Sequence, residues 1–346
     1  MVVGGGTPDT NNHKYWNGDI QWFTPSEIGR DKYVTNSLRT ISEEGLNKSS
    51  AKLLPIGTIL LSSRATVGEC SINKVECTTN QGFQSLIPKE NFSKEFVFYL
   101  MQTKRKELIR KSCGSTFLEI SANEVRKIKI AVPASKEQEK ISKLLALLDE
   151  RISTQNKIIE DLQSLIKGLR VHLTQKTDGY IVYLSEIAKI YQPQTISLSE
   201  FTEEGYLVYG ANGIIGKYRE YNHRTEQICI TCRGNTCGMV NYTKPKSWIT
   251  GNAMIVNTDN YQDKICKRYL YHYLSTYNFN SIISGSGQPQ IVRSPLEKLK
   301  VKLPAILKQK QIATFLDKLQ NQIEINNNIL HLYLQQKQYL FRQMFI

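Results

Sequence analysis

No run of about 18 consecutive apolar residues occurs in the sequence, so no membrane-spanning helix is expected. It contains no HExxH, no G-x-S-x-G and no Asn-Pro-Pro-aromatic tetrad. The usual marks of a zinc protease, a serine hydrolase and an amino-methylating enzyme are therefore missing. Histidine is scarce, and His13, His172, His223, His272 and His331 lie far apart. No catalytic residue emerges, and the expectation is a chain that binds and positions. Cysteines number seven, an odd count at irregular spacing, which reads as reduced thiols. Their densest group is Cys229, Cys232 and Cys237, with His223 the nearest fourth ligand. The surrounding "EQICITCRGN" alternates like a strand that buries small thiols, so no metal is expected.

Glycines are present without a phosphate loop. "GGGTP" (residues 4–8) follows no strand and is cut by Pro8, "GSGQPQ" (residues 285–290) also meets a proline, and "GIIGK" (residues 213–217) is too short. The aromatics that follow the first of these, Tyr15, Trp16, Trp22 and Phe23, are expected to build a core, and its glycines to let backbone approach a ligand closely. Only three residues precede Gly4, so no signal peptide is expected and the cytoplasm is the expected location.

Positive charge is what the chain has in excess. Lys and Arg number 45 against 31 acidic residues, a net charge of +14. A polyanionic partner follows, nucleic acid first. A membrane surface fits less well, because no amphipathic stretch sets Lys and Arg beside Trp or Phe.

The sequence also repeats itself. Residues 132–173 align without a gap on residues 303–344, at an offset of 171. Pro133/Pro304, Ala134/Ala305, Gln138/Gln309, Ile141/Ile312, Leu145/Leu316 and Asn156/Asn327 are among the identities. Both segments carry a 4-3 apolar period, which predicts two long helices. The first seam runs through Leu148, Ile152, Gln155 and Ile159, the second through Leu319, Ile323, Asn326 and Leu330. Gln155 and Asn326 fill the same slot; paired antiparallel, the two amides would meet. Ahead of each helix "CGSTFLEISANEVRKIKIAVP" lies over "SGSGQPQIVRSPLEKLKVKLP", each ending in a basic strand and a proline. Further back, "ILLSSRATVG" resembles "ICITCRGNTCG". The opening "GGGTPDTNNHKYWNGDIQWFTPSEI" has no sequence counterpart in "YLVYGANGIIGKYREYN". The fold class is α+β: two modules of short strands and glycine turns, alternating with two long helices that pair as an antiparallel coiled coil.

A helix from Ile141 to Leu173 spans ~50 Å, or about 15 base pairs of DNA. Two basic modules on such helices would read two half-sites across a fixed gap. Arg64 and Arg233 are candidates for a guanine edge, and Asn80, Gln81, Asn235 and Asn252 for adenine, with Gln288 and Gln290 in "GSGQPQI". Lys104, Arg105, Lys127 and Arg293 head the candidate phosphate contacts.

The stretches "GGTPDTNNHKYWNGDIQWFTPSEI", "TTNQGFQSLIP", "GSTFLEIS", "VYGANGIIGKY", "GSGQPQI" and the twin starts "PASKEQEKI" and "PAILKQKQI" resemble the specificity (S) subunits of type I restriction–modification systems. The resemblance covers nearly the whole chain. It implies target recognition domains at 1–132 and 178–303, and conserved helical spacers at 133–177 and 304–346. It implies double-stranded DNA, two methyltransferase (M) subunits and restriction (R) subunits as partners. S-adenosylmethionine then belongs to the M subunits, ATP and Mg to the R subunits, and this chain holds no cofactor. In that family a strand-and-helix segment normally precedes the "GGTP" loop. The second module has one in "YIVYLSEIAKIYQ", so the first recognition domain reads as N-terminally short. Two other readings fit the residues. One is the specificity subunit of a related type II-like system with a fused methylase–nuclease. The other is a coiled-coil interaction protein without sequence-specific DNA binding.

Overall fold

The computed structural model describes residues 1–114, 118–211, 213–285 and 287–345. Parts of three quoted motifs lie outside them: Ser115, Thr116 and Phe117 of "GSTFLEIS", Asn212 of "VYGANGIIGKY" and Ser286 of "GSGQPQI". In chain order the strands and helices are β1 (Val2–Gly4), β2 (Trp16–Phe23), β3 (Tyr33–Val34), β4 (Arg39–Ile41), α1 (Glu43–Asn47), β5 (Ile59–Leu61), β6 (Cys70–Asn73), β7 (Cys77–Thr79), β8 (Gln84–Leu86), α2 (Lys94–Thr103), α3 (Arg105–Arg110), α4 (Ala122–Arg126) and α5 (Ser135–Gln175). They continue with β9 (Tyr180–Tyr183), β10 (Lys189–Tyr191), β11 (Tyr206–Gly210), β12 (Gly213–Tyr218), β13 (Ile228–Thr231), β14 (Val240–Tyr242), β15 (Trp248–Ile249), β16 (Ala253–Asn257), α6 (Lys267–Leu274), α7 (Arg293–Glu297), β17 (Lys300–Leu303) and α8 (Ile306–Met344). No helix among the described residues is long and apolar enough to cross a membrane.

Two compact units result, Met1–Thr154 with Leu330–Ile346, and Gln155–Ile329. Each long helix is thus shared. Residues 135–154 of α5 and 330–344 of α8 belong to the first unit; residues 155–175 and 306–329 belong to the second.

The first unit has a five-stranded sheet, β1-β8-β5-β6-β3, and a three-stranded one, β4-β2-β7. Its main core joins Ile59 and Leu61 of β5, the apolar face of α2, and Ile141 and Leu145 of α5. Helix α2 starts because Ser93 caps it, its hydroxyl accepting the Phe96 N–H at 3.2 Å. Tyr99 donates to Asp149 at 2.7 Å, and Asp149 pairs with Lys337 of α8 at 2.6 Å. Phe341 and Phe345, near the end of α8, pack on Tyr99 and Phe96.

The aromatics of the opening stretch are core. Trp16, Trp22 and Phe23 are buried, and the two indoles meet edge to face at 5.0 Å. The Arg39 guanidinium lies 3.6 Å from the Trp16 ring centroid. The opening glycines serve this packing. A Cβ on Gly5 would stand 2.0 Å from the Asn80 carbonyl oxygen, and one on Gly6 would stand 2.4 Å from the Ala51 nitrogen. The Gly6 carbonyl also accepts from the Trp22 indole at 2.9 Å.

In the second unit the sheets are β10-β16-β13-β14, β12-β11-β15 and β17-β9. The opening stretch has a structural counterpart here despite its lack of a sequence match. Strand β2 has an antiparallel neighbour, β4, and a parallel one, β7. Strand β11 likewise has β12 antiparallel and β15 parallel. The three-strand pairing is retained while the side chains that fill it changed.

Along α5 the ten seam positions from Ile141 to Leu173 are all buried or half-buried, and so are the ten from Ile312 to Met344 along α8. Within the second unit the polar pair of the seam closes on itself: Gln155 Nε2 donates to Asn326 Oδ1 at 2.6 Å. Nearby, His272 is fully buried between charges. Arg170 Nε donates to its Nδ1 at 3.1 Å, and its Nε2 donates to Asp317 at 2.8 Å. An arginine can only donate, so Nδ1 carries the lone pair and the ring is neutral. Burial holds the His272 pKa below its ordinary value, with Arg170 and Arg268 adding to the effect.

A twinned glutamine fastens each helix start to its module. Gln138 is 2% exposed: its Oε1 accepts the Ser93 N–H at 2.9 Å and its Nε2 donates to the Pro133 carbonyl at 2.9 Å. Gln309 is 0% exposed: it accepts the Cys266 N–H at 2.8 Å and donates to Pro304 at 2.9 Å and to Lys264 at 3.1 Å. In both units the side chain supplies the N–H at the N-cap of the module's helix with a partner.

One expected strand is absent. Residues 129–132, read as the twin of β17, form no strand. In the second unit β17 is paired with β9, and no equivalent of β9 lies among the described residues of the first.

Candidate nucleic-acid interface

The geometry around Arg64 begins with β5, whose three buried aliphatics lead the chain out to a turn at residues 62–68. The Ser62 hydroxyl ties the turn to Arg64 O (3.1 Å) and to Thr66 Oγ1 (2.9 Å). Gly68, at φ +86°, closes it by donating to Ser62 O at 3.0 Å. Arg64 is exposed on this turn, and Ala65 beside it holds a left-handed φ of 62°.

Two loops frame the turn. Ser63 N–H donates to Gly82 O at 2.8 Å, which brings in Asn80 and Gln81. Asn80 Oδ1 accepts the Gly82 N–H at 2.9 Å, and Gln81 Oε1 accepts the Thr7 hydroxyl at 2.5 Å. On the other side Cys113 and Glu119 exchange both backbone bonds at 2.9 Å, and Ile120 N–H donates to Ser63 O at 2.9 Å. Arg64, Asn80 and Gln81 therefore stand together. Arg105 joins them from α3: its stem lies over Gly68 and its guanidinium pairs with Glu69 at 3.1 Å. Lys104 pairs more loosely with Glu107, at 3.8 Å. Lys127 sits past the end of α4, paired with Glu124 at 2.7 Å.

The second unit repeats these backbone bonds. Gly238 N–H donates to Thr231 O at 2.9 Å, Cys232 N–H to Asn252 O at 3.1 Å, and Ile291 N–H to Cys232 O at 3.0 Å. Ser284 and Gln290 exchange the bonds that Cys113 and Glu119 exchange in the first unit. Arg233, Asn235, Asn252 and Gln288 are exposed around this turn, with Gln290 half-buried opposite Arg233. Arg293 lies at the start of α7 and pairs with Glu297 at 2.6 Å.

The electrostatics of the two turns differ. Arg64 is held by the Glu119 carboxylate through Nε at 3.1 Å and Nη2 at 2.6 Å. The residue bridged to Arg233 in the same way is Gln290, which carries no charge. An ion pair this exposed is worth little, about 0–1 kcal/mol, and a phosphate or a guanine edge competes with it readily. Glu119 was not among the residues expected at the site, although the repeat sets it over Gln290.

The cysteine group is part of the strand core. Cys229 and Cys232 are buried, and burial pushes both thiols above their ordinary value. The His223 ring bonds to Tyr191 at 2.8 Å and Asn222 at 2.6 Å. Among the described residues no group of three or more His, Cys, Asp or Glu is placed to hold a metal ion.

Comparison with known proteins gives a consistent result. The family described as "Type I restriction modification DNA specificity domain" matches residues 2–164 and again 180–332. The Methanocaldococcus jannaschii type I restriction enzyme MjaIX specificity subunit is 36% identical over 196 residues, 54% of this chain and 45% of that protein. The chain thus aligns with less than half of that relative's length. The Escherichia coli type I restriction enzyme EcoprrI specificity subunit is 29% identical over 340 residues, 91% of this chain and 84% of that one. Among solved structures, an S subunit of a type I restriction–modification system from M. genitalium superposes with a TM-score of 0.66 over 98% of this chain and 99% of its own, at 16% identity. That likeness establishes the fold.

Proposed function

We propose, because the chain belongs to the type I restriction–modification DNA specificity family, that it is the non-catalytic subunit that selects the DNA site of such a system. Each unit reads one half of a bipartite site in double-stranded DNA. Arg64, Asn80 and Gln81 face bases in one half-site; Arg233, Asn235, Asn252, Gln288 and Gln290 face them in the other. Lys104, Arg105, Lys127 and Arg293 contact phosphates, and the paired helices hold the two readings at one spacing. Methyl transfer to adenine belongs to two M subunits that bring S-adenosylmethionine. ATP-driven cleavage belongs to R subunits that bring ATP and Mg.

One observation carries the reading. The same arginine-bearing turn, framed by the same two loops, occurs twice in one strongly basic chain. Forked guanidinium and amide groups are what reads purine edges in the major groove, and the net charge of +14 supplies the phosphate attraction that precedes reading.

The test is to express the chain with its M subunit and map methylated bases in the host genome. Adenine methylation should fall in a split motif with a fixed gap. Exchanging residues 178–303 for those of a relative should change one half of the motif only. A single continuous motif, or none with an active M subunit present, would sink the proposal.

A further inference from the structure

The Arg64–Glu119 pair leaves a defined set of groups unused. Arg64 meets the carboxylate with its side edge, and both bonds, from Nε at 3.1 Å and from Nη2 at 2.6 Å, land on one oxygen, Oε2. Among the described residues Glu119 Oε1 and Arg64 Nη1 have no hydrogen-bond partner. The guanidinium therefore keeps its end-on pair, an N–H on Nη1 beside one on Nη2, and the carboxylate keeps an acceptor. The two side chains are 46% and 41% exposed, so these groups are open to a ligand.

Backbone bonds hold the pair in place. Arg64 and Glu119 are bridged antiparallel, and Glu119 exchanges both of its bonds with Cys113. The next residue, Ile120, is buried and donates to Ser63 O, one position before Arg64. Two donors and an acceptor thus stand side by side in the order Nη1, Nη2, carboxylate.

The major-groove edge of a G·C base pair carries two acceptors, guanine N7 and O6, and then a donor, cytosine N4. No other base pair, read from the same strand, presents acceptor, acceptor, donor. Resting on the DNA reading above, we infer that Arg64 and Glu119 read one G·C pair together. Arg64 Nη1 and Nη2 donate to guanine N7 and O6, and Glu119 Oε1 accepts from cytosine N4. Glu119 is then a specificity-determining residue and not only a brace for the arginine. A carboxylate only accepts, so it repels thymine O4, which takes the place of cytosine N4 in an A·T pair. The second unit makes no such demand: Gln290, bridged to Arg233 in the same way, carries an amide with donors as well as an acceptor.

The experiment uses the complex with its M subunit and duplexes bearing the methylated motif. The half-site of the first unit is the half that exchange of residues 178–303 leaves unchanged. Each G·C pair in it is replaced in turn by 7-deazaguanine with cytosine, or by guanine with N4-methylcytosine, and binding is read by fluorescence anisotropy. The first change removes guanine N7; the second puts a methyl group in place of the N4–H and leaves the guanine edge intact. At one pair each change should weaken binding about tenfold. Glu119→Ala should lose the response to N4-methylcytosine and keep the response to 7-deazaguanine, and Arg64→Ala should lose the latter. In the other half-site both variants should respond as the parent does. If no pair in the first half responds to N4-methylcytosine, or if Glu119→Ala responds to it as the parent does, the proposal is overturned while the DNA reading stands. A complex that methylates no motif sinks both.

Discussion

The twin glutamines allow a quantitative test. Gln309→Leu keeps the volume of the side chain and removes every polar bond it makes. Three hydrogen bonds are then lost: one to the buried Pro304 carbonyl, and two at the part-buried Cys266 N–H and Lys264 carbonyl. A buried group left unpaired costs about 1–3 kcal/mol, and a typical hydrogen bond contributes about 1 kcal/mol net. Taking about 1 kcal/mol for each gives about 3 kcal/mol. Gln138→Leu strands two groups, the Ser93 N–H and the Pro133 carbonyl, and should cost about 2 kcal/mol. At about 2–4 °C per kcal/mol, the Gln309 variant should melt about 6–12 °C lower in the unit that contains it. Calorimetry and urea titration of the full chain, followed by circular dichroism, read this directly. A loss below about 1 kcal/mol for Gln309→Leu refutes the reasoning, because three hydrogen bonds cannot then have been lost.

Replacing Gln155 and Asn326 together by leucine should raise the melting temperature, since two amides leave an apolar seam, while either single change should lower it. A drop in the double variant contradicts the seam reading. Glu119→Gln frees Arg64 from an ion pair worth about 0–1 kcal/mol, so DNA binding by the assembled complex should tighten by up to about fivefold. An affinity that falls in the variant, measured by fluorescence anisotropy, contradicts the release of Arg64 to a base edge. Burial holds the His272 pKa below its ordinary value in the fold, so the unfolded chain takes up the proton first. Stability from this group is complete above pH 6.5 and declines as pH falls from there toward the lower folded value. Melting at pH 7.5 and 5.5 should show that decline, and His272→Gln should lessen it; an equal decline in the variant assigns it elsewhere.

Period and repeat are local properties, and they were readable. The 4-3 spacing located both helices, and the matched slots of Gln155 and Asn326 foretold their contact, because register depends on residue type at fixed intervals. The alignment also showed Gln138 over Gln309 but not their task. Each reaches across to a capping residue 45 or 43 positions earlier, a distance no periodicity encodes. The same limit applies to Glu119, whose pairing with Arg64 depends on a loop returning to the turn. The kinship of β2 with β11 was unreadable for another reason: strand pairing is made by backbone groups, so it persisted while the side chains changed. The glycines near the start are packed against residues 50–51 and 79–80, which come from distant segments and leave no mark near positions 5 and 6.

The sharing of the two long helices has a consequence for synthesis on the ribosome. Residues 155–329 are one continuous stretch, so the second unit can close as soon as that stretch has emerged. The first unit includes residues 1–154, yet it waits for Phe341 and Phe345 to reach Tyr99 and Phe96, and for Lys337 to reach Asp149. The unit started earlier is the unit finished later. Until residues 330–345 emerge, its core lacks one wall, and a nonsense codon just ahead of Leu330 would damage the domain whose larger part lies upstream.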